Sequence, residues 1–215
     1  MAQAVEVHPA VLVPANAKLS TARIAAAGCR ACELWRNATQ TVFGEGPADA
    51  PLLLAGEQPG DREDLEGRPF VGPAGRVLDE ALDEAGVDRE RVFVTNVVKH
   101  FRWRPSPGGK RRLHERPTAG QVRACRPWLD LELDLVGPRV VVALGATAAQ
   151  ALIDPDFRIT ESRGVLLAPR ASRGPSFLAT PHPSSILRIS GRDERKAARR
   201  LLAGDLATAW AAATR

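Results

Sequence analysis

Four short apolar runs, PLLLAG (51–56), RVFVTN (91–96), RVVVALG (139–145) and FLAT opening the segment 177–185, restrict this chain more than any other feature. Each is too short for a buried helix, and none alternates apolar with polar residues. Strands of that kind are covered on both faces, as in parallel sheets. Parallel strands need crossover connections, and helical patterns lie between the runs. A helix is expected from about Ala74 to Ala85, stopping at Gly86. Others are expected near Thr118–Leu135 and from Ala146, and an Arg-rich amphipathic helix closes the chain. The pattern predicts an α/β fold: a single domain with a four-stranded, mainly parallel sheet flanked by helices.

The remaining segments are less regular. Residues 1–18 show no sustained period and read as a flexible arm, leaving 19–215 as the domain. STARIAAAGCRACELWRNATQ starts with a Ser/Thr cap signal and reads as a short helix running into Cys29 and Cys32. GEQPGDREDLEGRPFVGPAG, rich in Gly, Pro and acids, reads as a loop. Val97 to Pro117 reads as a long, basic, irregular segment. No apolar run reaches membrane-spanning length, and no signal-peptide core opens the chain, so a cytoplasmic protein without membrane contact, and a monomer, is expected. The net charge of +5, with arginine well in excess of lysine, suits a polyanionic partner; biased codon usage would produce the same excess.

Parallel sheets bind ligands outside the carboxyl ends of their strands. The first run leads into Gly56, Glu57, Gln58 and Asp61; the second ends at Asn96; the third ends at Gly145; the fourth leads into His182. A carboxylate, amides and an imidazole thus collect on one rim. Each motif also has a plainer reading. GEQPG could be a strand-exit turn with a solvated Glu57. Phe70, in the Gly/Pro-rich GRPFVGPAG, could stack on a flat base or plug the core beneath the loop. His182, between two prolines that fix its backbone, could donate to an oxyanion or be structural. The run Lys110, Arg111, Arg112 in GGKRRLH could contact phosphates or face solvent.

Cys29-x-x-Cys32 is half of a metal site, Cys125 offers a third thiol, and His100 is the natural fourth donor. Zinc, an iron–sulfur cluster and three unrelated buried thiols all remain open on spacing alone.

Taken in order, GEQPGDREDLEGRPFVGPAG, VTNVVK, a cysteine before RPWL, and HPSS resemble the iron–sulfur uracil-DNA glycosylases from roughly Thr21 onward. The commoner members read GEAPG where this chain has Gln58, carry a cysteine where it has His100, and lack the KRRLH loop. On all three points the chain is similar to the UdgX group, which binds uracil-DNA covalently. The resemblance implies a [4Fe–4S] cluster on Cys29, Cys32, His100 and Cys125. It implies Phe70 stacked on a flipped uracil, Asn96 reading the base edge beside Gly56, and His182 stabilising charge on uracil O2. Glu57, Gln58 and Asp61 would line the sugar side. Lys110, Arg111, Arg112, Ser184, Ser185 and Arg188 would contact DNA, single-stranded by preference.

Glycosidic cleavage leaves an anionic base and an oxocarbenium-like sugar. Donors such as His182 and Asn96 suit the first, and Glu57 suits the second. The resemblance adds a nucleophile: His114 attacking C1′ in place of water, with Glu57 taking the second ring proton. Lys110, Arg111, Arg112 and Arg116 are expected to favour its neutral form, opposed by Glu115. The chain would then act once, as a suicide glycosylase.

Overall fold

The protein is described by a computed structural model over residues 16–169 and 174–215. Residues 1–15, most of the expected N-terminal arm, lie outside the described residues.

The main sheet contains β1 (Leu52–Gly56), β2 (Val92–Asn96), β5 (Val140–Leu144) and β6 (Ser176–Thr180), all parallel, in the order β2-β1-β5-β6. Its helices are α1 (Leu19–Ala27), α2 (Asp61–Glu66), α3 (Pro73–Glu84), α4 (Ala119–Val136), α5 (Ala146–Leu152), α6 (Ile159–Ser162), α7 (Pro183–Leu187) and α8 (Arg192–Ala213). Strand periodicity explains the two layers. Leu53, Ala55, Phe93, Val141, Ala143 and Ala179 point to one face, against α1, α4 and α5. Leu52, Leu54, Val92, Val94, Val140, Val142 and Leu178 point to the other, against α3, α7 and α8. Both faces are sealed, so polar positions along these strands would be costly; this accounts for the uninterrupted apolar runs.

Two segments are more ordered than their composition suggested. DREDLE within the acidic loop forms α2, closed by Gly67 in the left-handed region (φ 73°). The expected irregular stretch 97–117 contains a hairpin, β3 (Trp103–Pro105) paired antiparallel with β4 (Arg112–His114), Trp103 opposite His114. Its turn uses Gly108 and Gly109 at φ 86° and 73°, a backbone that other residues adopt only at a cost. The Gly-Gly pair was the available signal; the flanking strands were too short to show a period.

The chain order of the strands sets the site. From β1 the path steps to one edge (β2), then crosses back to β5 and on to the other edge (β6). Between β1 and β5 the direction of winding reverses, and the crevice at that point opens at the carboxyl ends. No described helix is long and apolar enough to cross a membrane.

Candidate active site

A cavity of about 810 Å³ opens over these carboxyl ends. Its walls include Glu57 and Gln58 from β1's exit, Asn96 from β2, Gly145 and Thr147 after β5, and His182 after β6. Phe70 and the hairpin's His114 complete it. The rim expected from strand ends is therefore one continuous surface.

Glu57 is held from two sides. The Thr147 hydroxyl donates to Oε2, and Arg116 Nε stands 3.9 Å from the same oxygen while donating to Thr147 Oγ1 at 3.0 Å. Its Oε1 is left facing His114 Nε2 at 3.4 Å. Thr147 was not singled out in the sequence. The signal for it was its place in the first turn of the helix that follows Gly145, at the same rim.

His114 sits at the end of β4, its side chain half-exposed. Gln58 locks its height above the sheet. Gln58 Nε2 donates to the carbonyls of Arg102 (3.1 Å) and Glu115 (3.0 Å), and its Oε1 accepts from Arg102 N at 3.1 Å. A single buried amide thus clips both hairpin strands to β1. The His114 imidazole is pushed below its ordinary pKa, first by burial, with Glu57 opposing and Arg188 adding to the depression. The cause differs from the expected one. Arg112 is neutralised by carboxylates, and Glu115 pairs with Arg102 (3.5 Å) and Arg104 (3.3 Å), so neither governs the imidazole.

Arg112 and Asp61, expected at phosphates and at the sugar respectively, bind each other. Arg112 Nε donates to Asp61 Oδ1 at 2.6 Å, and Nη1 donates at 2.5 Å to Asp64, whose side chain is fully buried. The guanidinium also lies over the rings of Phe101 and Trp103. It anchors the hairpin to α2, leaving Lys110 and Arg111 as the exposed cations of the run.

Phe70 is buried with φ +57°, left-handed backbone that a bulky residue adopts only under constraint. Glu63 supplies part of that constraint: its carboxylate accepts from Gly60 N (3.1 Å) and Gly72 N (2.8 Å), pinning the loop on either side. At Gly56 a side chain would collide with Asn96 Oδ1 and the Phe70 ring, so glycine is what lets these two groups converge. The Asn96 amide makes no hydrogen bond to another described residue.

His182 caps α7: Ser184 N–H donates to its Nδ1 at 3.1 Å. Accepting there places the proton of the neutral ring on Nε2. Burial, with His114 and Arg188 nearby, lowers its pKa to about 4, so it is a neutral donor at ordinary pH. Its ring lies 6.0 Å from that of Phe70, interplanar angle 27°. Ser185 Oγ donates to the His182 carbonyl at 2.7 Å and so shapes the turn, whereas Ser184 and Arg188 border the cavity.

The sequence model of the Uracil DNA glycosylase superfamily matches residues 43–206, three-quarters of the chain and every element just described around the cavity. The chain belongs to the uracil-DNA glycosylase superfamily. It is 40% identical over 169 residues to a Type-4 uracil-DNA glycosylase of Thermotoga maritima, covering 78% of this chain and 82% of the relative. It is 38% identical over 164 residues to one of Archaeoglobus fulgidus, covering 74% and 78%. A Type-5 uracil-DNA glycosylase of Thermus thermophilus is 36% identical over 124 residues, covering 52% and 53%.

Within this superfamily fold, the thiols lie in the layer of α1, α4 and α5. Cys29 and Cys125 are buried, and Cys32 packs against the same cluster. Cys125 is pushed up to about 12 by burial; Lys99 opposes this, both by its charge and by a 3.2 Å hydrogen bond from its main-chain N–H, while Cys29 and Cys32 add to the rise. The three sulfurs are near enough to sense one another. His100 does not join them: its Nε2 is 2.9 Å from Thr41 Oγ1, and burial lowers its pKa to about 4. Among the described residues, no three His, Cys, Asp or Glu side chains gather closely enough to hold one ion. Trp128 Nε1 is a fully buried donor without a partner among the described residues, three residues from Cys125 on the buried side of α4. Three soft donors with an orphaned N–H suit a sulfur-ligated group. Thr41 Oγ1 donates to the Ala26 carbonyl at 3.0 Å, so His100 Nε2–H donates to Thr41 and the lone pair that could take a metal lies on Nδ1.

Proposed function

We propose that this protein excises uracil from DNA, single-stranded by preference, and keeps the sugar as a covalent adduct on His114. One observation carries the reading: His114 Nε2 lies 3.4 Å from Glu57 Oε1 in the cavity shared with Phe70, Asn96 and His182. The uracil-DNA glycosylase relatives supply the substrate class. A stacked base cannot enter such a cavity, and a single strand avoids the unpairing cost.

Phe70 stacks on the uracil ring. The Asn96 amide donates to O4 and accepts from N3–H; cytosine reverses that pattern and leaves buried groups unpaired, at about 1–3 kcal/mol each. As the C1′–N1 bond breaks, its electron pair leaves with uracil. His182 donates from Nε2 to O2, and Glu57 faces the cationic sugar. In the tautomer with its proton on Nδ1, the His114 Nε2 lone pair forms a bond to C1′. The resulting imidazolium releases the Nδ1 proton to water, because Glu57 faces Nε2. The product is a neutral alkyl-imidazole, a poor leaving group, so each molecule reacts once. Gln58 and Asp61 position the hairpin, and Lys110, Arg111, Ser184 and Arg188 contact the strand.

Cys29, Cys32, Cys125 and, through Nδ1, His100 would hold a [4Fe–4S] cluster, which would serve as a structural cross-link. The cluster's contribution is to cross-link the α1 segment to α4.

Mixing protein with a uracil-containing single strand should give a band that survives denaturing electrophoresis. His114→Ala should lose that band and release uracil with turnover, as water captures the sugar. A resistant band in His114→Ala, or a DNA remnant on another peptide, would overturn the assignment. Multiple turnover by the parent would favour a conventional glycosylase.

A further inference from the structure

Lys99 and Glu132 are both fully buried, side chains at 0% exposure, with Lys99 Nζ 2.6 Å from Glu132 Oε2. An isolated buried pair of this kind is a poor source of stability, since desolvating two charges offsets their attraction, and an apolar pair of similar volume often does as well. Its surroundings suggest another use. All three ammonium protons have acceptors: Glu132 Oε2, Thr95 Oγ1 at 2.7 Å and the Asn96 carbonyl at 2.6 Å. Thr95 donates to Glu132 Oε2 at 2.7 Å, and Glu132 Oε1 accepts from Gly44 N at 2.8 Å. The network is closed and ends on the backbone of the residue whose amide faces the cavity.

Asn96 is the last residue of β2, and just past it Val98 N–H donates to the Glu57 carbonyl at 3.0 Å. Val97 N–H donates to the Gly56 carbonyl at 2.9 Å on one side, and Lys99 Nζ holds the Asn96 carbonyl on the other. These two bonds set the Asn96 backbone and hence the direction of its side chain. The amide has no hydrogen bond of its own to another described residue. Lys99 also donates its main-chain N–H to Cys125 at 3.2 Å.

We propose that Lys99 and Glu132 are positioning residues that aim the Asn96 amide and thereby set discrimination between uracil and cytosine. This rests on Asn96 reading the base. Two variants test it: Lys99→Met combined with Glu132→Met, which removes both charges while keeping volume, and Glu132→Gln, which keeps shape but leaves the buried Lys99 ammonium without its counter-charge and replaces one of two accepting oxygens by a donor. Base release is measured on single strands carrying one uracil or one cytosine, with folding followed by thermal unfolding. The expected result is a folded double variant whose preference for uracil falls about tenfold or more, the scale of one mis-set buried hydrogen bond. Glu132→Gln, which leaves a buried ammonium unpaired, should lose at least as much. A folded variant with the parental preference, or the failure of both variants to fold, would overturn the inference, the second by making the pair a support of the fold itself. If the parent releases no uracil, the function falls and this inference with it; release by the parent with unchanged preference in the variants sinks this inference alone.

Discussion

The strand-end cavity and the thiol cluster are built from different kinds of side chain. In the cavity, nearly every polar group is braced by another. Thr147 and Arg116 hold Glu57, Gln58 clips the hairpin, Glu63 pins the loop around Phe70, and Ser184 orients His182. Around the thiols, Cys125 takes one main-chain N–H, His100 is engaged with Thr41, and Trp128 Nε1 has no partner among the described residues. The difference teaches that polypeptide alone can organise a site of hydrogen bonds, because donors and acceptors satisfy each other. Thiols offer one another no such complement, since each is a weak donor and a weak acceptor.

Cys125→Ser should have the largest effect. Iron content should fall and the unfolding temperature drop by more than about 10 °C, at roughly 2–4 °C per kcal/mol for a domain of this size. Brown colour, iron analysis and thermal unfolding check it. An unchanged melting temperature would break the comparison by making the thiols dispensable. Arg112→Gln, on the cavity side, should cost less, about 1–3 kcal/mol, because Asp64 keeps two hydrogen bonds from Thr39 N. It should slow adduct formation by loosening the hairpin while leaving iron content at the parental level; calorimetry beside capture kinetics separates the two.

The pH dependence sharpens the cavity side further. His114 titrates below its ordinary 6.5, so the nucleophile stays neutral as pH falls through that value. Capture should hold constant there and decline only as pH reaches the depressed value. Arg188→Ala removes one cause of the depression and should move that acid limb upward. Rapid-quench capture rates across pH test both, and a limb at 6.5 in the parent would contradict them. The smallest effect is expected at the hairpin tip. Lys110→Ala with Arg111→Ala should weaken binding without altering uracil preference, and should reduce the slope of log affinity against log salt by about 1.4. Binding titrations at several salt concentrations measure it.

The sequence by itself determined the layers. An apolar strand buried on both faces admits few neighbours, and PLLLAG, RVFVTN and RVVVALG therefore marked the sheet and, at their ends, Glu57, Asn96 and Gly145. The cavity was legible for the same reason, since strand ends converge by topology. The partners of charges were not legible. Lys110, Arg111 and Arg112 are adjacent in sequence and chemically alike, yet β4 faces Arg112 toward Asp61 and Asp64 while the turn leaves the other two outside. Gln58 and Asp61 line the cavity as expected at the sugar side, but their bonds to the hairpin, like that of His100 to Thr41, carried no signal in the sequence. Thr147 and Glu132 carried no period or motif, and Lys99, the last residue of VTNVVK, carried no sign of its partner. Apolar burial follows from local pattern because it has no direction. A hydrogen bond or ion pair depends on where one atom points relative to another tens of residues away, and only the tertiary structure decides that.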